Sequence, residues 1–340
     1  MISAFDIYAL KSIINSPRLD PYKTENFDEL FPIYRDNELE EWKTFDGSRV
    51  SVGNTGQTHD RTGTLPHYLK LVDYEPLPII PNSFSKSFKE ICFERAKEII
   101  RIADGRRINI SWSGGLDSTT LLFCFLEIGD LKQFKVFCNY NSIVESGVLF
   151  DKYIKNRLEY DLSPPVVSPQ FGEGVIVTGY HGDALFPHYN NLLFNNCFYG
   201  PWEDWISNKQ HKIIDPILEN YPVKITTIQE FQSFLEINFK WQWSKTFKKR
   251  NTVKSVADRI LNFYDTVDFQ IWAMANYEPK YIDERRNTWK WPERELLREL
   301  IGKCFYTENK LIQRSHYNVT DTNWVMLLED GTNLYKKDLL

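Results

Sequence analysis

Residues 108–118, INISWSGGLDS, constrain this chain more than any other stretch. Ile108 and Ile110 alternate with polar residues, as in a buried strand. Ser113-Gly114-Gly115 follows, a turn with little side chain in the way, so backbone N–H groups can approach phosphate oxygens closely. Ser118, Thr119 and Thr120 then open an apolar helix carrying Leu121, Leu122, Phe125 and Leu126, whose N-terminus favours an anion. Strand, glycine turn and helix start together make a phosphate cradle. Asp117 would repel a phosphate directly, and the chemistry that suits it there is to hold Mg²⁺, which then bridges to the phosphates. The loop is not a Walker A motif, because no Gly-Lys-Ser/Thr ending follows the glycines.

A second segment stands downstream in compatible order. Residues 174–189 read GVIVTGYHGDALFPHY. Val175, Ile176 and Val177 form a short apolar strand, broken by Gly179 and Gly182. Asp183 falls just beyond the strand's carboxyl end, where open α/β sheets place ligands, and a second acid there suits a Mg·pyrophosphate site. Further on, Phe263-Tyr264-Asp265 precedes the amphipathic segment VDFQIWAMAN, with Asp265 expected as its helix N-cap, and residues 294–300 read RELLREL.

The string SGGLDS resembles the PP-loop of the N-type ATP pyrophosphatases, which split ATP between the α- and β-phosphates. With the later segments in order, residues 85–305 resemble the synthetase domain of the asparagine synthetase family. The resemblance implies ATP bound through Ser111, Ser113, Gly114, Gly115, Asp117, Ser118 and Gly179, and Mg²⁺ held by Asp117 and Asp183. It also implies a cation near the α-phosphate. Arg294 aligns with the family's lysine there; Lys290 is the substitute one turn earlier, although Pro292 between the two is expected to break the helical register. Tyr180 stands where asparagine synthetases usually have glutamate. It is similar in this to the β-lactam synthetases, which pair a tyrosine with a carboxylate to deprotonate an amine, and Glu203, Asp204 and Glu219 are candidate partners. Ala184 replaces an acidic residue. The family's glutaminase nucleophile, a cysteine directly after Met1, has no counterpart, because Ile2 stands there. The nitrogen donor is therefore expected to be free ammonia, ammonia from a partner, or a substrate amine.

The rest of the chain fits that frame. Its 340 residues suffice for two domains with a sizeable core. Net charge is −5, which argues against a general nucleic-acid surface. Cys92, Cys124, Cys138, Cys197 and Cys304 are odd in number and show no CxxC spacing. This points away from a disulfide framework or zinc knuckle, with Cys124 in the core. No apolar run is long enough to span a bilayer and no secretory leader opens the sequence, so a cytoplasmic protein is expected.

The expected fold class is α/β: a parallel, doubly wound sheet of the adenine nucleotide alpha hydrolase-like kind, with a helical C-terminal part and a small mixed N-terminal region containing β structure. Strands are expected at 108–112, 134–138 and 175–178. Helices are expected from Ser85 to about Asp104 and at 118–128 and 148–160. Hairpins are expected at 41–52 and 320–337, a helical stripe at 226–239, and a linker around Pro76, Pro78 and Pro81. Domain limits are 1–84, 85–305 and a C-terminal extension at 306–340.

The function expected is amide formation: adenylation of a small-molecule or peptide carboxylate, release of pyrophosphate, and transfer to ammonia or an amine. A homodimer is a further expectation. Two alternatives stand beside it. One is a PP-loop enzyme that modifies a nucleobase or tRNA, favoured by the basic, aromatic segment FKWQWSKTFKKR at 239–250. The other is a non-catalytic, nucleotide-binding descendant.

Overall fold

The computed structural model describes two compact units. The sheet unit comprises residues 86–162, 173–180, 258–264, 280, 289–304, 325–327 and 333–335. The helical unit comprises residues 61–64, 75–85, 181–186, 202–205, 208–241 and 265–275. The expected hairpin at 41–52, Cys197, most of the region 1–84 and nearly all of the basic segment after Trp241 lie outside the described residues.

The sheet unit starts with helix α1, Phe88–Ala103. Ser87 caps it, accepting from the Glu90 N–H while the Glu90 carboxylate accepts from the Ser87 N–H, a reciprocal capping box. Asp104 ends it in the left-handed region at φ 48°. Phe88, Ile91, Cys92, Ala96 and Ile99 are buried as the sequence stripe requires, whereas Ile100 is only half-buried. Arg95 is buried too; its guanidinium donates to the carbonyls of Asn262 and Phe263 and to Glu98.

Strand β1 is Ile108–Ser111, helix α2 Leu116–Ile128, strand β2 Phe134–Phe137 and helix α3 Tyr140–Leu149. Strands β3 (Glu159–Asp161), β4 (Val175–Thr178) and β5 (Ile260–Asn262) follow, and helix α4 is Trp291–Ile301. These five strands form one sheet whose pairs are all parallel, in the order β3-β2-β1-β4-β5. With helices flanking it, this is an α/β fold. Helix α2 packs against α1 and α4, and Phe137, Ile176 and Ile260 pack across one sheet face. Strands β6, Val325–Leu327, and β7, Asn333–Tyr335, pair antiparallel, as the expected C-terminal hairpin requires.

Two expectations are corrected here. The second crossover helix lies at 140–149, not 148–160. The Asn139 side chain accepts from the Ser142 N–H and starts the helix early; Phe150–Ile154 continues as a π-turn, and 159–161 is a strand. Helix α2 begins at Leu116, two residues before the expected start, which brings Asp117 into its first turn.

In the helical unit, Thr227 and Glu230 form a capping box on the helix Ile228–Leu235, which runs into a π-turn at Glu236–Lys240. Phe231, Phe234, Leu235 and Ile237 are buried. The helix Val267–Ala275 is not amphipathic as expected, since every residue from Phe269 to Met274 is buried. Nor does Asp265 cap it: Thr266 Oγ1 accepts from the Phe269 N–H, while the Asp265 carboxylate accepts from the Trp241 indole N–H at 3.1 Å.

Candidate active site in the sheet unit

The strand order has one reversal. From β1 the chain adds β2 and then β3 on one side, while β4 and β5 lie on the other. The crevice beyond the carboxyl ends of β1 and β4 is therefore the topological switch point, where open α/β sheets bind ligands. Ser111 ends β1 and Thr178 ends β4, paired in register, so the loop after β1 and Gly179 after β4 flank that crevice.

The loop is built by its own small residues. Gly114 has φ +76° and lies so close to α3 that an added Cβ would sit 2.5 Å from the Ser142 carbonyl oxygen. The Gly114 carbonyl accepts from Ser146 Oγ at 2.8 Å, where α3 is kinked. Ser118 Oγ accepts from the Ser113 N–H at 3.1 Å and donates to the Gly115 carbonyl, and Ser113 Oγ lies 3.0 Å from it. The two serines thus staple the loop shut. No side chain caps α2 at Gly115. A Cβ on Gly179 would lie 3.1 Å from the Ser118 amide nitrogen and 3.3 Å from Asp117 Cβ, so its lack of a side chain keeps space open at the helix N-terminus. Trp112 is fully buried; its indole N–H donates to Thr119 Oγ1 and anchors the loop to α2.

Helix α4 supplies the cation. Lys290 is its N-cap, in the left-handed region at φ 56°, ψ 44°. Its Nζ lies 2.5 and 2.6 Å from the two carboxylate oxygens of Asp117 and 4.7 Å from the centre of the Trp289 ring. Pro292 does not break the register: it stands in the first turn of α4, where its missing N–H costs no helical bond. Lys290, not the aligned Arg294, reaches Asp117. The Arg294 side chain is buried and donates through Nε to the Trp289 carbonyl at 2.7 Å.

No family model, curated protein or solved structure matches this chain.

Two residues that sequence reasoning passed over complete the cluster. Tyr264 Oη lies 2.7 Å from Glu293 Oε1 and 3.0 Å from the Asp117 carbonyl oxygen, and both side chains are fully buried. Burial, and then the negative charge of Asp117, hold Glu293 well above the ordinary carboxylate range, against the opposing pull of Lys290. A phenol has one proton to give and a carbonyl can only accept. Tyr264 shares its one proton between Glu293 Oε1 and the Asp117 carbonyl oxygen. Asp117, Lys290 and a neutral Glu293 then carry no net charge, as a buried cluster favours. The signal for Tyr264 lay in Phe263-Tyr264-Asp265, whose middle residue, not its acid, reaches the site. Glu293 was legible only as the residue beside Arg294.

This arrangement gives a signed pH prediction. Above about pH 4.5 the unfolded chain loses a proton that native Glu293 keeps, so stability contributed by the buried acid is full below that value and falls as pH rises toward the native value. Glu293→Gln removes that slope. Urea midpoints measured from pH 5 to 8 should show the variant gaining on the wild type by up to ~1.4 kcal/mol per pH unit. Parallel slopes would refute the assignment.

The remaining expected residues are placed as follows. Tyr180 closes the sheet unit, half-buried, with its N–H 3.4 Å from Thr178 Oγ1. Asp183 belongs to the helical unit, in the short helix Gly182–Leu185, as do Glu203, Asp204 and Glu219. Ala184 is buried. The N-terminal turn of α2, with Gly179 bare against it, fits a polyphosphate, while the N–H groups of Ser113 and Gly115 bond to Ser118 Oγ and Ser113 Oγ. A resident Mg²⁺ on Asp117 does not fit, because an ammonium already engages both carboxylate oxygens. Cys92 and Cys124 are fully buried, and burial pushes the Cys138 thiol up to about 12. Among the described residues no helix is long and apolar enough to cross a membrane.

Proposed function

We propose that this chain is an ATP-dependent amide-forming ligase, built on an adenine nucleotide alpha hydrolase-like sheet and related to the asparagine synthetase family. The observation that carries this reading is the serine- and glycine-built loop at the switch point of a parallel sheet, with Gly179 held bare against the N-terminus of α2. The strand order β3-β2-β1-β4-β5 supports the finer topology.

ATP lies with its β- and γ-phosphates against residues 113–118 and its α-phosphate toward the ends of β1 and β4. A substrate carboxylate oxygen attacks the α-phosphorus, the bond to the bridging oxygen breaks, and pyrophosphate leaves. Lys290 and the amides of the first turn of α2 stabilise the charge that builds on the leaving phosphates. An amine or ammonia then attacks the acyl carbon, AMP leaves, and Tyr180 assists in removing the amine proton. The substrates are a small-molecule or peptide carboxylate and an amine, in a cytoplasmic setting; a separate ammonia source and a homodimer belong to the same proposal.

ATP–pyrophosphate exchange tests it. Labelled pyrophosphate should enter ATP in the presence of the correct carboxylate, and AMP should appear once an amine is added. No AMP with any carboxylate, together with no ATP binding, would sink the ligase reading. ATP binding without exchange would favour the second reading, a nucleotide-binding protein without turnover, for which the Asp117–Lys290 pair is the motivating observation.

A further inference from the structure

Lys290 holds Asp117 in the geometry a metal ion would use. Its Nζ is 2.5 and 2.6 Å from the two oxygens, on the bisector of the carboxylate, where a bidentate cation sits. The lysine is not a mobile surface charge, being 1 % exposed. The backbone around it is pinned at three points. The Trp291 N–H donates to the Lys280 carbonyl, the Arg294 N–H to the Lys290 carbonyl, and Arg294 Nε to the Trp289 carbonyl. Its left-handed φ of 56° is uncommon for a lysine, and that backbone conformation is held by these bonds. Beside the pair lies Glu293 Oε2, fully buried and without a hydrogen-bond partner.

We propose that Lys290 is the permanent counter-ion of Asp117, standing where a divalent cation would bridge from that carboxylate to bound phosphates. A polyphosphate entering the loop then meets an ammonium–carboxylate pair supplied by the chain, and any divalent ion that accompanies the nucleotide rides on the phosphates without ligating Asp117. Displacing Lys290 would separate a buried ammonium from its carboxylate, so a divalent ion competes for Asp117 at a disadvantage on the order of 10²–10³-fold. This inference rests on reading the loop as a polyphosphate cradle.

Manganese binding, followed by the electron spin resonance of free Mn²⁺ without nucleotide, tests it. Wild type and Asp117→Asn should bind equal numbers of ions. Lys290→Met should gain one ion per chain, and the double variant with Asp117→Asn should lose it. An ion bound by wild type but not by Asp117→Asn overturns the proposal, as does no gain in a Lys290→Met protein whose circular dichroism is native. A measurement on the wild type alone needs no variant to fold: with ¹⁵N-lysine, the slowly exchanging Lys290 ammonium signal should survive added Mn²⁺, and its paramagnetic loss overturns the proposal. Inorganic pyrophosphate is then titrated by calorimetry in EDTA. Binding weakened about tenfold or more in Lys290→Met is expected, from loss of a charge-assisted contact; binding that needs both Mg²⁺ and the Asp117 carboxylate, being lost in Asp117→Asn, overturns the proposal. No pyrophosphate binding under either condition counts against the ligase reading, and the Mn²⁺ comparison still decides the counter-ion.

Discussion

Gly114→Ala is expected to lower stability by about 2–5 kcal/mol and to abolish pyrophosphate binding. Two costs add. Alanine at φ +76° is strained, by roughly 1–2 kcal/mol. Its Cβ would also sit 2.5 Å from the Ser142 carbonyl, and that oxygen belongs to the backbone of α3, which cannot rotate aside as a side chain would. Either the loop or the helix must shift, and the bond from Ser146 Oγ to the Gly114 carbonyl is the first to stretch. Gly105 supplies the control: its φ is +74° and nothing lies within 4 Å of its added Cβ. Gly105→Ala should therefore cost only the conformational part, about 1 kcal/mol, and leave pyrophosphate binding intact. Urea unfolding of the two variants checks the difference, and equal losses would show that the close approach at Gly114 carries no weight.

The second large effect concerns the helical unit. Arg61 is 2 % exposed. Its guanidinium donates to the carbonyls of Glu75, Pro76 and Ile237 and to Gln270 Oε1, at 2.7–3.0 Å, and its N–H donates to Asn238 Oδ1. One planar fork thus joins the segment around residue 61, the chain at 75–76, the π-turn Glu236–Lys240 and the helix Val267–Ala275. Arg61→Met fills similar space but takes the guanidinium donors away from three carbonyls and an amide oxygen, at an expected cost of about 3–5 kcal/mol. Arg61→Lys keeps the charge without the fork and should recover less than half of that. The measurement is the unfolding midpoint in urea followed by tryptophan fluorescence, since Trp202, Trp241 and Trp272 are buried in this unit. A loss below 1 kcal/mol in Arg61→Met would show the clasp to be incidental.

How much of this was legible in the sequence depends on the range of the interaction. Strand β1, the glycine turn and α2 were readable because their signals are local: alternation, missing side chains and an apolar run. Helix α1 was readable from its stripe and its end at Asp104-Gly105. The three-residue strands β3 and β5 were not, because so few residues carry no period, and sheet pairing alone makes them strands. The start of α3 was missed because one side chain, Asn139, decides it. At the site, Ser113 and Ser118 of SGGLDS were expected to bind ATP; their hydrogen bonds to each other and to Gly115, which hold the loop together, were not foreseen. Lys290 was named only as a substitute for Arg294, because RELLREL offers a helical stripe and KWPE does not. What selects Lys290 is its backbone conformation and the packing of α4 on α2, and neither leaves a mark in a linear pattern. Glu293 was missed for the same reason, whereas Tyr264 stood in a motif whose acid drew the attention instead.

The span between Asp117 and Lys290, 173 positions, has a consequence for synthesis. On the ribosome the loop and its first three strands emerge long before α4, and until α4 is made Asp117 is an exposed acid open to any cation around it. The neutral cluster with Tyr264 and Glu293 closes only when both ends of this unit are present, a contact of high sequence separation that forms late. A nascent or prematurely ended chain would therefore carry a metal-binding loop, whereas the finished protein carries its own counter-ion. Completing the polypeptide changes the ionic preference of the site as well as its stability.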